Sequence, residues 1–355
     1  MEAQIEGALP SSSIDKWPTV DVMALSPPAV ARIVTALATA RKPLIITSHL
    51  GRNTDAVAPL VGLATLLAIP VYCSCPSAVN IPFSHPSFVG VSYLPPGGHT
   101  PLLATADVVL VLECDVPWIP SDQLLAPSPD ARIFIVNSGD PLKAREMGLW
   151  HIPAEMICRA DAELALVQLS EAVRQGASMG ENALVTQRRQ DLEKRHVEYV
   201  AALDARESVL APGHLSTANL VGALRKVLDV EGIKAILLNE SITNFPLVWE
   251  HMRPDVPGSM ITSGGSSLGW ALGAAVGVSL AKTAHDIIVA VVGDGSYMFG
   301  VPSSAYWMAR RYDTVCLFLA FLVPQLMIVP SAISYNRPEQ RRMEGTLASL
   351  ATSFC

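Results

Sequence analysis

The chain has 355 residues, of which half are hydrophobic and 16% charged. That length suits two domains, and that apolar share excludes a disordered chain. A net charge of −7 with no basic run excludes nucleic acid as the main partner. It leaves polyphosphates open, because backbone amides or a metal ion can neutralise them locally.

The first segment, 1–22, reads as an N-terminal tail. Its start, MEAQIEGALPSSS, is acidic and has no apolar core, so it is not a signal peptide. Residues 23–173 alternate helical and strand-like blocks. PPAVARIVTALATA opens with prolines suited to a first helical turn, and PLIITS follows as a strand. AVAPLVGLATLLA, IPVYCS, ADVVLVLECD, ARIFIVNSGD and ICRADAELALVQLSEAV continue the alternation. Strands that are apolar throughout and alternate with helices predict a parallel, doubly wound sheet covered on both faces.

Residues 174–207 change character. A polar, glycine-containing linker leads into QRRQDLEKRHVEYVAALDARE, dense in charge at helical spacing, which predicts a polar helix bridging two domains. A second alternating block, 208–314, contains LSTANLVGALRKVL, IKAILLNES, SSLGWALGAAVGVSLA, HDIIVAVVGDGS and PSSAYWMARRY. The fold class expected is therefore α/β: two doubly wound, mostly parallel-sheet domains joined by a charged helical linker. From Val315, VCLFLAFLVPQLMIVPSAI is apolar and nearly long enough to span a membrane, but Pro324 and Pro330 interrupt it. A membrane role is not expected. Residues 315–355 are taken as an aberrant insert and tail that leaves the second domain incomplete.

The six cysteines, Cys73, Cys75, Cys114, Cys158, Cys316 and Cys355, form neither a disulfide framework nor a zinc site. Buried free thiols in a reducing, cytoplasmic setting are the expectation, with the organelle open. His49, His85, His99 and His214 read as solvated or capping groups.

Three segments fall at strand ends or helix starts, where ligands bind in open α/β sheets. Asn239–Asn244 (NESITN) offers hydroxyl and amide groups for an anion, or a plain helix cap. Thr262–Gly269 (TSGGSSLG) opens a helix with glycines that let a ligand approach the backbone, or that only permit close packing. Gly269, Gly273 and Gly277 recur every four residues, which predicts a bare helix face with something packed tightly on it. In Gly293-Asp294-Gly295-Ser296, a carboxylate between two glycines leaves a buried strand, well placed for Mg²⁺ or simply turning the chain. A hairpin does not fit, because a helix follows.

Together these segments resemble thiamine-diphosphate-dependent enzymes of the acetolactate synthase and benzoylformate decarboxylase type. GDGSYMFG is similar to the start of their cofactor motif, SSLGWALGAAVG to the glycine-rich segment before it, and NESITN to their diphosphate turn. The block from PLIITS to ARIFIVNSGDP is similar to their central domain. The resemblance implies thiamine diphosphate and Mg²⁺ as cofactors. It implies Asp294 as metal ligand, and Gly293, Gly295 and Ser296 at the diphosphate with Ser241 and Thr243. Ser266 and Ser267 would approach the aminopyrimidine, and Leu268 would sit under the cofactor as an apolar wedge. Ile242 stands where relatives often carry a hydroxyl. The implied chemistry is decarboxylation of a 2-oxo acid, with the cofactor as electron sink, in a homo-oligomer. FAD is a further cofactor of some relatives, but HLGRNTD at His49–Asp55 lacks a dinucleotide fingerprint.

Two departures shape the expectation. The family's ylide-forming glutamate belongs to a domain preceding the central one, so no catalytic residue is assigned here, neither Glu113 nor Glu240. The second metal ligand, an Asn one helix and one strand after the Asp, is replaced by LFLAFLVPQ, with Tyr335-Asn336 as a displaced echo. A truncated homologue, inactive alone, is the leading expectation. A non-catalytic dimer-interface or regulatory module with the same fold is the alternative.

Overall fold

In the computed structural model the described residues are 21–93, 100–118, 127–139, 152–176, 183–208, 216–264, 267–281, 285–314, 316–321 and 326–330. The expectations for His99, His214, Ser266, Tyr335-Asn336 and Cys355 lie outside them.

The first domain contains β1 (Pro43–Thr47), β2 (Val71–Ser74), β3 (Phe88–Ser92), β4 (Val108–Leu112), β5 (Arg132–Asn137) and β6 (Met156–Arg159). They form one parallel sheet in the order β3-β2-β1-β4-β5-β6. β1 and β4 are buried at every residue, as strands covered on both faces must be. Helices α1 (Pro27–Thr39), α2 (Val57–Leu67), α3 (Thr100–Thr105) and α4 (Ala162–Gln175) connect them. α1 starts on its prolines and buries Ala29, Ile33, Ala36 and Leu37, a stripe at helical spacing. Asp161 caps α4 through the Leu164 amide, at 3.0 Å.

The linker helix α5 (Ala183–Ser208) starts four residues before the charged run that suggested it. Its Glu207 is buried and ties it to the second domain. The carboxylate accepts from Arg225 at 2.9 Å and Arg253 at 3.0 Å, and pairs with His251 at 3.1 Å. Gly222 makes room for it, since a Cβ there would lie 2.5 Å from the Glu207 carboxyl carbon. Burial raises the Glu207 carboxyl, but hydrogen bonds from His251 and Arg225 and the charges of Arg225 and Arg253 bring it below its ordinary range.

The second domain contains α6 (Thr217–Glu231), β7 (Ala235–Glu240), α7 (Phe245–Met252), β8 (Met260–Ile261) and α8 (Trp270–Leu280). β9 (Ile287–Gly293), α9 (Asp294–Phe299), α10 (Pro302–Arg311), β10 (Cys316–Phe321) and β11 (Leu326–Pro330) follow. Ser216 and Asn219 close a capping box at α6. The sheet order is β11-β10-β9-β7-β8, parallel except for the β10–β11 pair. The apolar stretch after Val315 therefore enters the sheet beside β9 and returns as an antiparallel strand. No helix among the described residues is long and apolar enough to cross a membrane.

One apolar cluster spans both domains, beside a separate one in each. Ala78 bridges Ile261, the Thr262 amide donates to Ser77 O at 3.0 Å, and Tyr93 stacks on Phe245 at 4.2 Å. The described cysteines form no disulfide: Cys73, Cys114 and Cys316 are buried, and Cys75 and Cys158 half-buried. Burial pushes the Cys73 and Cys114 thiols up to about 12, which suits inert core residues.

Candidate cofactor site

The chain leaves β7 toward β8 on one side and re-enters at β9 on the other. β7 and β9 are neighbours, with Glu240 opposite Val292. The connections after them diverge at that point, and the crevice outside such a reversal is where open α/β sheets bind ligands. The topology therefore sets Ser241–Asn244 beside Gly293–Ser296.

Glu240 brings in the third segment. Its buried carboxylate accepts from the amides of Gly269 at 2.5 Å, Trp270 at 3.2 Å and Ala271 at 2.7 Å, the first turn of α8. Burial raises the Glu240 carboxyl, and the three amides pull it back. The helix start that the sequence offered to an anion is thus already filled by a carboxylate of the chain. Sequence reasoning missed this role. The signal was the helix cap: Gly269 has no side chain, so the first amides of α8 need an acceptor from elsewhere.

The predicted residues divide by accessibility. Ser241 is buried, and its hydroxyl donates to Asn239 Oδ1 at 2.6 Å. Ser296 is buried, and its hydroxyl donates to the Glu240 carbonyl at 3.1 Å. Both side chains hold the crevice walls together. Asp294, Gly295, Thr243 and Ser267 are exposed. Asp294 Oδ1 accepts from the Gly295 amide at 2.8 Å. Leu268 is 40% exposed. Asn244 makes no side-chain cap on α7, so NESITN is not a plain helix cap. Ile242 has φ +40°, an unusual conformation for a β-branched residue, and it stores strain in this turn.

The glycine repeat is corrected. Gly269 has φ +89°, and a Cβ there would lie 2.7 Å from the Gly300 amide nitrogen, so this position packs tightly. Gly273 and Gly277 are exposed, and a Cβ at either meets nothing within 4 Å among the described residues. Among those residues the close packing is confined to the helix start.

On the other side of β9, Phe321 of β10 lies opposite Gly293. The residues that follow Phe321, where a second ligand beside Asp294 would come from, read Leu322-Val323-Pro324-Gln325 and lie outside the described residues. No group of three potential metal ligands occurs among the described residues. One exposed carboxylate still fits Mg²⁺ held jointly by protein and phosphate oxygens.

The first domain has its own reversal, between β1 and β4. There His49 pairs with Ser77 Oγ at 2.8 Å and Asp115 at 3.3 Å, and Arg52 donates to Ser77 Oγ at 2.9 Å. Gly51 is explained by packing, because a Cβ would lie 2.0 Å from Val79 O. His85 bonds Thr65 at 3.0 Å and accepts from the Ser87 amide at 3.1 Å.

Two family models match. Residues 30–169 match the central domain of thiamine pyrophosphate enzymes, and residues 241–319 match their C-terminal TPP-binding domain. The second match runs past residue 314 into β10. The benzoylformate decarboxylase of Pseudomonas aeruginosa is 26% identical over 306 residues, 83% of this chain and 50% of the relative. A thiamine diphosphate-dependent 4-hydroxybenzoylformate decarboxylase of Rhodococcus jostii superposes with a TM-score of 0.65 at 23% identity, covering 86% of this chain and 53% of that one. The benzoylformate decarboxylase of Polynucleobacter necessarius gives 0.67 at 17% identity, covering 89% and 55%. These superpositions establish the fold, and the chain spans about half the length of the relatives it matches. With both domain models matched in order, and a crevice at the β7–β9 reversal, the chain belongs to the thiamine pyrophosphate enzyme family.

Proposed function

We propose that the chain is a thiamine-diphosphate- and Mg²⁺-binding homologue of the 2-oxo acid decarboxylases and acetolactate synthases, with no turnover of its own. The carrying observation is Asp294, an exposed carboxylate at the β7–β9 reversal. In this reading Asp294 holds the metal, and the Gly293 and Gly295 backbone and the Thr243 hydroxyl face the diphosphate. Ser267 and Leu268 border the ring end. Bound there, the cofactor would supply an electron sink for a carbanion. Ser241 and Ser296 act one step back, fixing the two loops to Asn239 and Glu240.

The proposed lack of turnover rests on the other half of the clamp. Leu322-Val323-Pro324-Gln325 contains no carboxylate or asparagine to follow Asp294 onto the metal. Purified chain with thiamine diphosphate, Mg²⁺ and benzoylformate or pyruvate should release no CO₂ above background. Clear turnover would overturn this part.

A homo-oligomer is part of the proposal. Met298, Phe299, Val301, Trp307, Met308 and Tyr312, on and beside α9 and α10, are all at least 38% exposed, apolar surface that a second copy could cover. The alternative, a non-catalytic interface or regulatory module, draws support from the α8 start being filled by Glu240. Cofactor titration separates the two: metal-dependent binding supports the first, and no binding supports the second. Described cysteines that form no disulfide fit a reducing compartment.

A further inference from the structure

A cleft of about 220 Å³ lies where three parts of the chain meet, away from the β7–β9 crevice. One wall is the edge of the first sheet, with Tyr72 of β2 and Phe88 to Val91 of β3. A second is the linker helix α5, with Arg195, His196 and Tyr199, and the third is Glu250 of α7. An apolar cavity of about 150 Å³ accepts a benzene ring. This one has room for a ring with a short polar arm.

Its chemistry is uneven in an informative way. Tyr72, Phe88 and Tyr199 give it aromatic walls. Glu250 is half-buried among them, and the Tyr199 hydroxyl, at 2.7 Å, is its one hydrogen-bond partner among the described residues. A shielded carboxylate with a single donor and aromatic rings around it favours a cationic group, through charge pairing and cation–π attraction. Arg195, exposed on the α5 wall, makes no ion pair among the described residues. It offers a guanidinium to a carboxylate. Gly90 keeps the space open. At φ +142°, with the Tyr72 ring 3.0 Å from where its Cβ would be, it admits no side chain without strain.

We propose that this cleft binds a small aromatic amino acid, its ammonium on Glu250 and Tyr199, its ring on the aromatic walls and its carboxylate on Arg195. The site is independent of the proposed cofactor crevice but joined to it through α7. That helix begins at the turn carrying Thr243 and ends two residues after Glu250. Ligand in the cleft would therefore brace the first domain, the linker helix and the cofactor turn together.

The test is calorimetric titration of the full chain with L-phenylalanine, phenethylamine and phenylacetate. Saturable binding is expected for the first two and none for phenylacetate. Glu250→Gln keeps the acceptor for Tyr199 but removes the charge, and should weaken both ligands by at least about tenfold. Arg195→Ala should weaken L-phenylalanine by about tenfold and leave phenethylamine unchanged. Circular dichroism and an unaltered unfolding midpoint would verify that each variant folds. No saturable binding by either amine, or equal binding by Glu250→Gln, would overturn the proposal. Phenylacetate binding as well as L-phenylalanine would do the same.

Discussion

Removing the Glu240 side chain should destabilise the second domain more than any other single change at the crevice. In Glu240→Ala three α8 amides lose their acceptor. Ala271 is buried, so its amide is left without water, a cost of about 1–3 kcal/mol. Gly269 and Trp270 are half-buried and can be rehydrated, so their loss is nearer that of a missing helix cap, about 1 kcal/mol. Release of the buried carboxylate's desolvation offsets part of this, for a net of about 2 kcal/mol. Glu240→Gln presents an NH₂ to at least one amide and should cost about 1 kcal/mol. The sign with pH is also fixed. The folded Glu240 carboxyl is raised above its ordinary value of 4.5, so the proton-linked part of its contribution is fully present below that pH. That part is lost as pH rises through the folded value, while the capping bonds remain, and Glu240→Gln should remove the slope. Urea unfolding followed by tryptophan fluorescence reads this directly, because Trp270 is the first residue of α8. A midpoint shift for Glu240→Ala worth less than about 0.5 kcal/mol would refute the capping argument.

Gly222→Ala should displace Glu207 from Arg225, His251 and Arg253 and loosen α5. A cost of about 3 kcal/mol is expected, with faster amide exchange in α5 as the check. Gly273→Ala and Gly269→Ala should differ in sign. The first gains up to about 1 kcal/mol from helix propensity in open space, while the second loses at least that through a left-handed backbone and a clash with Gly300, both read as melting temperatures. Glu155, held down at about 2 chiefly by its bonds to Arg132, with Arg32 adding, contributes stability above its ordinary 4.5 that is lost as pH falls toward 2. This cluster is largely solvent-screened, so Glu155→Gln should cost only about 1 kcal/mol at neutral pH and nothing near pH 2, by thermal melts across that range.

Most of the fold could be read from the sequence because buried parallel strands are apolar throughout and helices keep their 3.6 period. PLIIT, VVLVL and IIVAVVG stand out as strands, and PPAVARIVTALAT as a helix with its proline start. The region after Val315 is harder to read for the same reason. An apolar run of that length suits a span, an insert or a pair of strands, and the pairing of β10 with β9 is not legible in its composition. At the crevice, the three segments were recognisable by their small residues, and the strand order brings them together. What the sequence could not reveal was which side chains face inward. Ser241 and Ser296 look like ligand hydroxyls in one dimension, yet both are bonded to the chain. Glu240 shows no partner until α8 folds back over β7, because its acceptor role depends on residues 29 to 31 positions away. The glycines at 273 and 277 repeat at helical spacing, but spacing does not say whether a neighbour is present.

The most direct test of the account is a calorimetric titration of the chain with thiamine diphosphate, with and without Mg²⁺, for the native sequence and Asp294→Asn. Binding that requires Mg²⁺ and falls by at least about tenfold in Asp294→Asn is the predicted result. Binding that is indifferent to Mg²⁺, or equal in Asp294→Asn, would contradict the assignment of Asp294 as the metal-holding half of the site.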